Sequence, residues 1–282
     1  MRQDASWDPE NMQSLVESIY QLYGYDFRGY MPQSLRRRFD SVMQRYTLET
    51  FAELRQRIVN DRDFFSAILG HLTVTTSEMF RDPPFYAALN QQVVPRLATY
   101  PSIKIWHAGC SSGEEVYSLA ILLREAGLLQ NSIIYATDIN PVALEKARAG
   151  VYPMATLQKA TENYHRVLPQ GDFASYYVAN YGMAAMDRRL RDHIVFAEHN
   201  LVTDSVFSEV QLILCRNVLI YFDSGLQQRA LKLFDDSLCH RGFLALGMKE
   251  SLQFSLLGPA YEEVVPTTRI YQKRISCSQQ KY

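Results

Sequence analysis

The segment Ile103-Lys-Ile-Trp-His-Ala-Gly-Cys-Ser-Ser-Gly-Glu-Glu115 carries the strongest structural signature in the chain. Its first half has apolar residues at Ile103, Ile105 and Ala108, which predicts a short buried strand. Small residues and two glycines follow, and two acids then open an apolar helical pattern. Strand, glycine-containing turn and helix, in this order, build the ligand crevice of a doubly wound sheet. The segment therefore predicts an α/β fold with a ligand site at the turn.

The turn does not resemble a phosphate-binding loop. It lacks the Lys-Ser/Thr pair of a P-loop and the third glycine of the dinucleotide fingerprint. The carboxylates of Glu114 and Glu115 would repel a pyrophosphate, but they suit a cationic ligand. S-adenosylmethionine is such a ligand, because it carries a sulfonium and an ammonium. The alternative is that both acids only complement the helix dipole, and the segment alone leaves the two interpretations equally open.

Composition narrows the class of protein. The chain has 282 residues and a net charge of −1, so no global field favours nucleic acid as a partner. Its four cysteines fit neither a zinc spacing nor a disulfide framework, and we expect no metal site. The N-terminus lacks an apolar signal region, and no apolar run is long enough to span a bilayer. We therefore expect a cytoplasmic protein without direct membrane insertion.

The sequence divides into a helical part and an α/β part. Apolar residues at helical spacing, a stop at Gly24 and a start at Pro32 predict a four-helix N-terminal domain over residues 1–74. Residues 75–100 are interpreted as a linker and the first helix of the α/β domain, which Pro83-Pro84 would begin.

Strand and helix patterns alternate over residues 101–275, which predicts a mainly parallel sheet with helices on both faces. Beyond the opening segment, the predicted strands lie at 132–138, 195–201, 210–215, 242–247 and 269–273, and the predicted helices at 141–149 and 224–238. An insertion at about 151–192 breaks this alternation and has no clear pattern. We expect residues 276–282 to be a disordered tail.

Ligands of doubly wound sheets lie outside the carboxyl ends of the strands. Asp138 ends the second strand and could accept hydrogen bonds from ribose hydroxyls, or could cap the helix that follows. Asn200 and Leu201 follow the third strand, where an amide side chain and a backbone N–H suit an adenine edge. Arg216 and Asn217 directly follow an apolar strand, so they are either ligand contacts or members of a structural polar network.

Five motifs now support a resemblance to a known family. They are Thr75-Thr-Ser-Glu-Met-Phe-Arg81, Ser112-Gly-Glu-Glu-Val-Tyr-Ser118, Ala136-Thr-Asp-Ile-Asn140, His199-Asn-Leu201 and Cys215-Arg-Asn-Val-Leu-Ile-Tyr-Phe222. With them the chain resembles, over nearly its whole length, the CheR family of chemotaxis-receptor glutamate O-methyltransferases. The resemblance implies a Rossmann-like S-adenosylmethionine-dependent methyltransferase sheet with an all-helical N-terminal domain and an inserted subdomain.

The resemblance also implies a reaction and its residues. The enzyme would transfer a methyl group from S-adenosylmethionine to glutamate side chains of a chemoreceptor, for adaptation of a chemosensory pathway. Arg81 and Tyr221 would lie near the transferred methyl as catalytic residues. The implied cofactor contacts are Thr75, Ser77, Arg81, Glu115, Asp138, Asn200, Leu201, Arg216 and Asn217. Thr75 stands where the family commonly has Asn.

The second predicted helix carries Arg36, Arg37 and Arg38. These form either a solvated basic face or a docking face for the acidic methylation helices of a methyl-accepting chemoreceptor. We expect that receptor's cytoplasmic helices as the partner and a monomeric enzyme. The Tyr-rich insertion does not resemble the peptide-binding pattern of some family members, so we expect no tethering by a receptor tail. The alternatives are another methyl acceptor and a non-catalytic module that senses S-adenosylmethionine.

Overall fold

The computed structural model describes residues 8–73, 77–253 and 255–275. The chain divides into two compact units. One consists of Met1–Thr75 and Tyr221–Arg229, and the other of Thr76–Ile220 and Ala230–Tyr282. The segment Tyr221–Arg229 is the difference from the predicted domains, because the sequence assigned it with the rest of 101–275. The predicted tail, 276–282, lies outside the described residues.

Four helices build the first unit: α1 Pro9–Tyr23, α2 Pro32–Tyr46, α3 Phe51–Asn60 and α4 Arg62–Leu72. Gly24 ends α1 with a left-handed φ of 78°, a conformation that glycine adopts without strain. Helix α3 begins later than the apolar pattern suggests because the Thr50 side chain accepts the Glu53 N–H and caps it. Leu15, Phe39 and Ile58 are fully buried among these helices. The predicted all-helical domain is therefore present.

The remaining elements lie in the second unit, except that the last helix begins within the segment Tyr221–Arg229 of the first unit. The strands are β1 Ile103–Ala108, β2 Ser132–Asp138, β3 Val151–Pro153, β4 Tyr177–Asn180, β5 Met183–Met186, β6 Ile194–Glu198, β7 Val210–Cys215, β8 Leu238–Leu246, β9 Tyr261–Val265 and β10 Ile270–Lys273. The further helices of the chain are α5 Pro83–Ala88, α6 Val94–Leu97, α7 Glu114–Glu125, α8 Pro141–Ala149, α9 Met154–Val167, α10 Arg188–Arg191 and α11 Ser224–Ser237.

Seven strands form the main sheet in the order β6-β2-β1-β7-β8-β10-β9. The first five are parallel, and β10 is antiparallel to both of its neighbours. This confirms the predicted mainly parallel sheet. The chain leaves β1 towards β2 on one side and returns to β7 on the other, so the strand order reverses at β1. The carboxyl ends of β1 and β7 therefore flank the crevice where such sheets bind ligands.

The structure differs from the sequence prediction at three strands. Strand β6 ends at Glu198, because Asn200 starts a turn in which its Oδ1 accepts the Val202 N–H. Strand β8 begins at Leu238, directly after α11, instead of at 242. Strand β9 was missed: it pairs only with β10, at the edge, and carries two glutamates where a buried strand would be apolar.

The insertion at 151–192 folds as a small mixed subdomain. Strands β3, β5 and β4 form a separate three-stranded sheet, accompanied by α9 and α10. Tyr164 and Phe173 from this insertion belong to the same hydrophobic core as β1 and α7. Among the helices of the described residues, none has both the length and the apolar character needed to cross a membrane.

Candidate active site

The turn after β1 is hydrogen-bonded to the end of β2, and it lies close to the turn after β7. The backbone N–H groups of Gly109 and Cys110 both donate to the carbonyl oxygen of Thr137, at 2.8 and 2.9 Å. Gly109 has a φ of 72°, and a Cβ at this position would clash with the side chain of Val218. Only glycine satisfies both constraints, so the first turn of the predicted site requires Gly109 for its shape.

Asp138 lies at the carboxyl end of β2, beside the first turn. Its Oδ2 accepts the Ser111 N–H at 2.7 Å, and its Oδ1 accepts the Asn140 N–H at 2.9 Å. The cap of α8 is Asn140 instead, whose Oδ1 accepts from Val142 and Ala143. Burial raises the pKa of the Asp138 carboxyl, and the backbone N–H groups oppose that shift. The carboxylate is therefore fixed at the strand end without serving as the helix cap.

Arg216, directly after β7, carries a fully buried side chain. Its guanidinium forms an ion pair with Glu115, lies 2.5 Å from Asp82 Oδ2 through Nη2, and stacks 4.0 Å over the Phe85 ring. Burial alone would lower the pKa of Arg216, but the nearby negative charges, Glu115 foremost, keep it above its usual value. These contacts form a structural polar network, one of the two interpretations that the sequence left open.

The two acids at the start of α7 have different partners. Glu114 accepts hydrogen bonds from the Ser112 hydroxyl at 2.7 and 2.9 Å. Glu115 is buried and engaged by Arg216. Pairing of Glu115 with a cofactor ammonium stays a prediction, and the structure adds that Arg216 already supplies a positive charge to this carboxylate.

The segment that carries Arg81 is anchored on both sides. Phe80 and Asp82 have positive φ values of 51° and 57°, and Phe80 N–H donates to Ser118 Oγ at 2.9 Å. The Arg81 carbonyl oxygen lies 3.4 Å from Arg216 Nη1, and the residue is half-buried. Ser77 is also half-buried, whereas Thr75 lies outside the described residues. The backbone at Arg81 is therefore held by its neighbours.

The insertion contributes to this anchoring. Glu78 accepts hydrogen bonds from Lys159 and Asn163 of α9, both at 2.9 Å. The Phe80 ring packs edge-on against Tyr164 and Phe173 at centroid distances of 5.3 and 6.0 Å. The sequence prediction left the role of residues 151–192 open. Within the second unit, the insertion holds the segment that precedes α5.

Among the described residues, the buried polar atoms without a hydrogen-bond partner include two side-chain oxygens at the strand ends. They are Ser111 Oγ in the first turn and Asn217 Oδ1 in the turn after β7. Unpaired buried polar atoms are costly unless a ligand or water satisfies them. Asn217 Oδ1 is an acceptor that suits an ammonium N–H, and Asp138 offers carboxylate oxygens to hydroxyl groups. These groups fit a nucleoside with an amino-acid tail, as S-adenosylmethionine has.

The turn after β6 supplies the predicted adenine contacts. Asn200 Oδ1 is used by the Val202 N–H at 2.9 Å, and the Asn200 N–H donates to Asp204 at 2.8 Å. The NH2 group of the Asn200 side chain is therefore the donor that this residue can offer to a ligand. Leu201 is buried beside it. Contacts of Asn200 and Leu201 with adenine stay a prediction.

Tyr221 and the three arginines of α2 belong to the first unit. Arg36 and Arg37 are exposed, but Arg38 is only 6% exposed. Its guanidinium stacks 4.4 Å over the half-buried Tyr221 ring, and its Nη1 donates to the Leu72 carbonyl oxygen. The prediction that Arg38 shares the exposed docking face is therefore corrected. Arg38 packs inward because it follows the buried Leu35 by one turn of helix.

The sequence analysis did not predict a role for two acids of this region. Glu250, which is 5% exposed, accepts hydrogen bonds from the turn after β7. Asp82 was also missed, although it pairs with Arg216. The sequence offers only a weak signal for either residue, because a single acid near the end of an apolar strand is normally exposed to solvent.

Removing the Arg216 guanidinium should destabilise the second unit strongly. Arg216→Ala leaves Glu115 buried without its cation, and breaking such a pair costs about 3–5 kcal/mol. Chemical denaturation should report that loss in the free energy of unfolding. Lys232→Ala is the control, because it removes the exposed pair with Asp236 and should cost at most about 0.5 kcal/mol. Equal losses in the two variants would contradict a buried Arg216 cluster.

Comparison with known proteins identifies the family. The CheR methyltransferase SAM-binding domain matches residues 75–268, and the CheR methyltransferase all-alpha domain matches residues 10–73. Cher3 of Pseudomonas putida is 53% identical over 259 residues, which cover 92% of this chain and 95% of that protein. The chemotaxis protein methyltransferase of Listeria innocua is 31% identical over 233 residues, covering 81% and 85%. Chemotaxis protein methyltransferase 1 of Vibrio cholerae is 30% identical over 227 residues, covering 77% and 80%. The chain therefore belongs to the CheR methyltransferase family, whose members use S-adenosylmethionine as methyl donor.

Proposed function

We propose that this enzyme methylates glutamate side chains on the cytoplasmic helices of a chemoreceptor, producing glutamate methyl esters and S-adenosylhomocysteine. The observation that carries the proposal is the set of polar groups at the carboxyl ends of β1, β2 and β7. There Ser111 and Asn217 present buried unpaired oxygens, and Asp138 presents a fixed carboxylate. Membership in the CheR family supports methyl transfer, and the relatives named as chemotaxis methyltransferases support the receptor as substrate.

The chemistry requires positioning more than proton transfer. A glutamate carboxylate is already ionised near neutral pH, so it can attack without a general base. S-adenosylmethionine supplies a methyl group activated by positive sulfur. His107 of β1 is buried, and this burial lowers its pKa to about 3. It is therefore neutral at physiological pH and already deprotonated, and the protein acts mainly by orienting groups and excluding water.

Arg81 is the residue we assign to carboxylate orientation, either of the substrate or of the cofactor tail. Its backbone is held between Phe80 and Asp82, as described above, and its positive charge acts on Glu115, where it opposes the rise in pKa that burial causes. Tyr221 is proposed to hydrogen-bond near the reacting carbon. Its ring is fixed by Arg38, and its carbonyl oxygen accepts the Met31 N–H at 2.9 Å.

The docking face consists of Arg36 and Arg37 on α2, without Arg38. Both side chains are exposed, and Arg36 Nε lies 3.9 Å from Asp40 Oδ2 on the same helix. Acidic methylation helices would meet this face through charge attraction, which speeds encounter and selects partners more than it adds affinity.

Asp138→Ala should weaken S-adenosylhomocysteine binding roughly tenfold to hundredfold, because hydrogen bonds to a charged group contribute about 1.5–3 kcal/mol. Titration calorimetry measures this directly. Since burial raises the pKa of Asp138, wild-type affinity should also fall on acidification as the carboxylate protonates. Glu209→Ala, an exposed acid just before β7, is the control and should bind normally. Unchanged affinity in Asp138→Ala would reject the ribose assignment.

Arg81→Ala should lower methyl transfer to receptor-enriched membranes by roughly a hundredfold or more, the range found when a charge-stabilising donor is removed. Radiolabelled methyl groups released as methanol by base would measure the reaction, because only a carboxyl ester is base-labile. The exposed Arg148→Ala serves as control. Wild-type turnover in a folded Arg81→Ala enzyme would contradict the assigned role, and base-stable label would point to a different methyl acceptor.

Reversing charge at Arg36 and Arg37 together, to Glu, should raise the KM for receptor at least about tenfold, because like charges would then face the acidic helices. The defect should shrink at high salt, and S-adenosylhomocysteine affinity should stay the same. Arg55→Glu with Arg62→Glu is the matched control, since both arginines are exposed on other helices of the same unit. Equal defects in the two double variants would show that only net charge matters.

A further inference from the structure

The carboxylate of Glu250 organises the turn that follows β7. Its Oε2 accepts the N–H groups of Gly247 at 2.5 Å and Asn217 at 3.0 Å. Its Oε1 accepts the N–H groups of Val218 at 2.9 Å and Ile220 at 3.3 Å. One buried side chain thus satisfies donors from two separate loops. Among the described residues of the second unit, no other side chain accepts hydrogen bonds from as many backbone N–H groups.

The register of the sheet explains why this carboxylate reaches both loops. Cys215 of β7 pairs with Leu246 of β8 as their last pair, so Arg216 and Gly247 leave the sheet side by side. A Cβ on Gly247 would lie 2.6 Å from Glu250 Oε2 and 2.7 Å from Asn217 N. Such distances are too short for carbon, so only glycine leaves room for the carboxylate to enter between the two loops.

The turn that Glu250 holds contains groups of the candidate active site. Asn217 has a φ of 60°, a left-handed conformation that Asn tolerates but that needs support from its surroundings. Its Oδ1 is one of the buried polar atoms without a hydrogen-bond partner in the described part of the chain. Arg216 directly precedes it and holds Glu115 and Asp82. The turn also carries Val218, against which Gly109 packs.

We propose that Glu250 is a positioning residue for methyl transfer: its carboxylate sets the conformation of residues 216–220 and thereby aims Asn217 at the cofactor. This inference rests on the function proposed above. The inference goes beyond that function because it assigns a role to Glu250, which is neither of the two residues, Arg81 and Tyr221, assigned to the reaction. The ionised form is required, since only a carboxylate accepts from four donors without presenting one of its own.

Glu250→Gln tests the proposal with an almost isosteric change. The amide would turn an NH2 group towards two of the four N–H donors, so at least two donors lose their acceptor. We expect S-adenosylhomocysteine affinity in calorimetry to fall at least tenfold, and kcat to fall further, with little change in the KM for receptor. Glu262→Gln, the same change at an exposed glutamate of β9, should match wild type. A folded Glu250→Gln enzyme with wild-type affinity and kcat would overturn the proposal.

A second variant separates positioning from simple stability. Gly247→Ala keeps the charge of Glu250 but places a methyl group between it and Asn217, so it should reproduce the loss of affinity. If both variants unfold, hydrogen exchange in the wild-type protein decides: the four amides at 217, 218, 220 and 247 should be strongly protected, and rapid exchange would refute the geometry. Cofactor binding is measured without receptor. Failure of receptor methylation by wild type would therefore reject the proposed substrate and leave the Glu250 result interpretable.

Discussion

A buried positive charge imposes the strongest constraint on the second unit. The Arg216 side chain is fully buried. A buried positive charge is tolerated only when carboxylates and hydrogen-bond acceptors surround it. Glu115 comes from the start of α7 and Asp82 from the segment before α5. One side chain therefore ties the end of β7 to two distant parts of the sequence. The cost of leaving any member unpaired keeps these three segments in a single arrangement.

Glu250 is a second buried acid beside the turn after β7. Glu250 accepts hydrogen bonds from backbone N–H groups of the same turn instead of pairing with a cation. Residues 216–220 are thus held by the ion pairs of Arg216 and by the hydrogen bonds that Glu250 accepts. A residue with a left-handed backbone conformation, such as Asn217, needs several contacts of this kind to keep that conformation. We infer that preorganisation, rather than an acid or base, is the main catalytic contribution of this part of the protein.

Much of the fold was predictable because its signals are local. The apolar runs of β1 and β7 and the acid that ends β2 are visible in the sequence, and strand ends of a parallel sheet converge by topology. The partner of Arg216 was not predictable from the residues alone, since Glu115 lies far away in the chain. Strand β9 was missed because an edge strand needs no apolar pattern. Arg38 is different: its spacing from Leu35 and Val42 marks it as inward-facing, so helix periodicity could have separated it from Arg36 and Arg37.

We propose that the carboxyl ends of β1, β2, β6 and β7 together bind the nucleoside of S-adenosylmethionine. A crystal structure with S-adenosylhomocysteine tests it most directly. The account predicts ribose hydroxyls on Asp138, the adenine edge at Asn200 and Leu201, and the amino group of the tail within hydrogen-bond distance of Asn217 Oδ1. A nucleoside bound elsewhere on the protein, or a tail that leaves Asn217 Oδ1 unpaired, would contradict it.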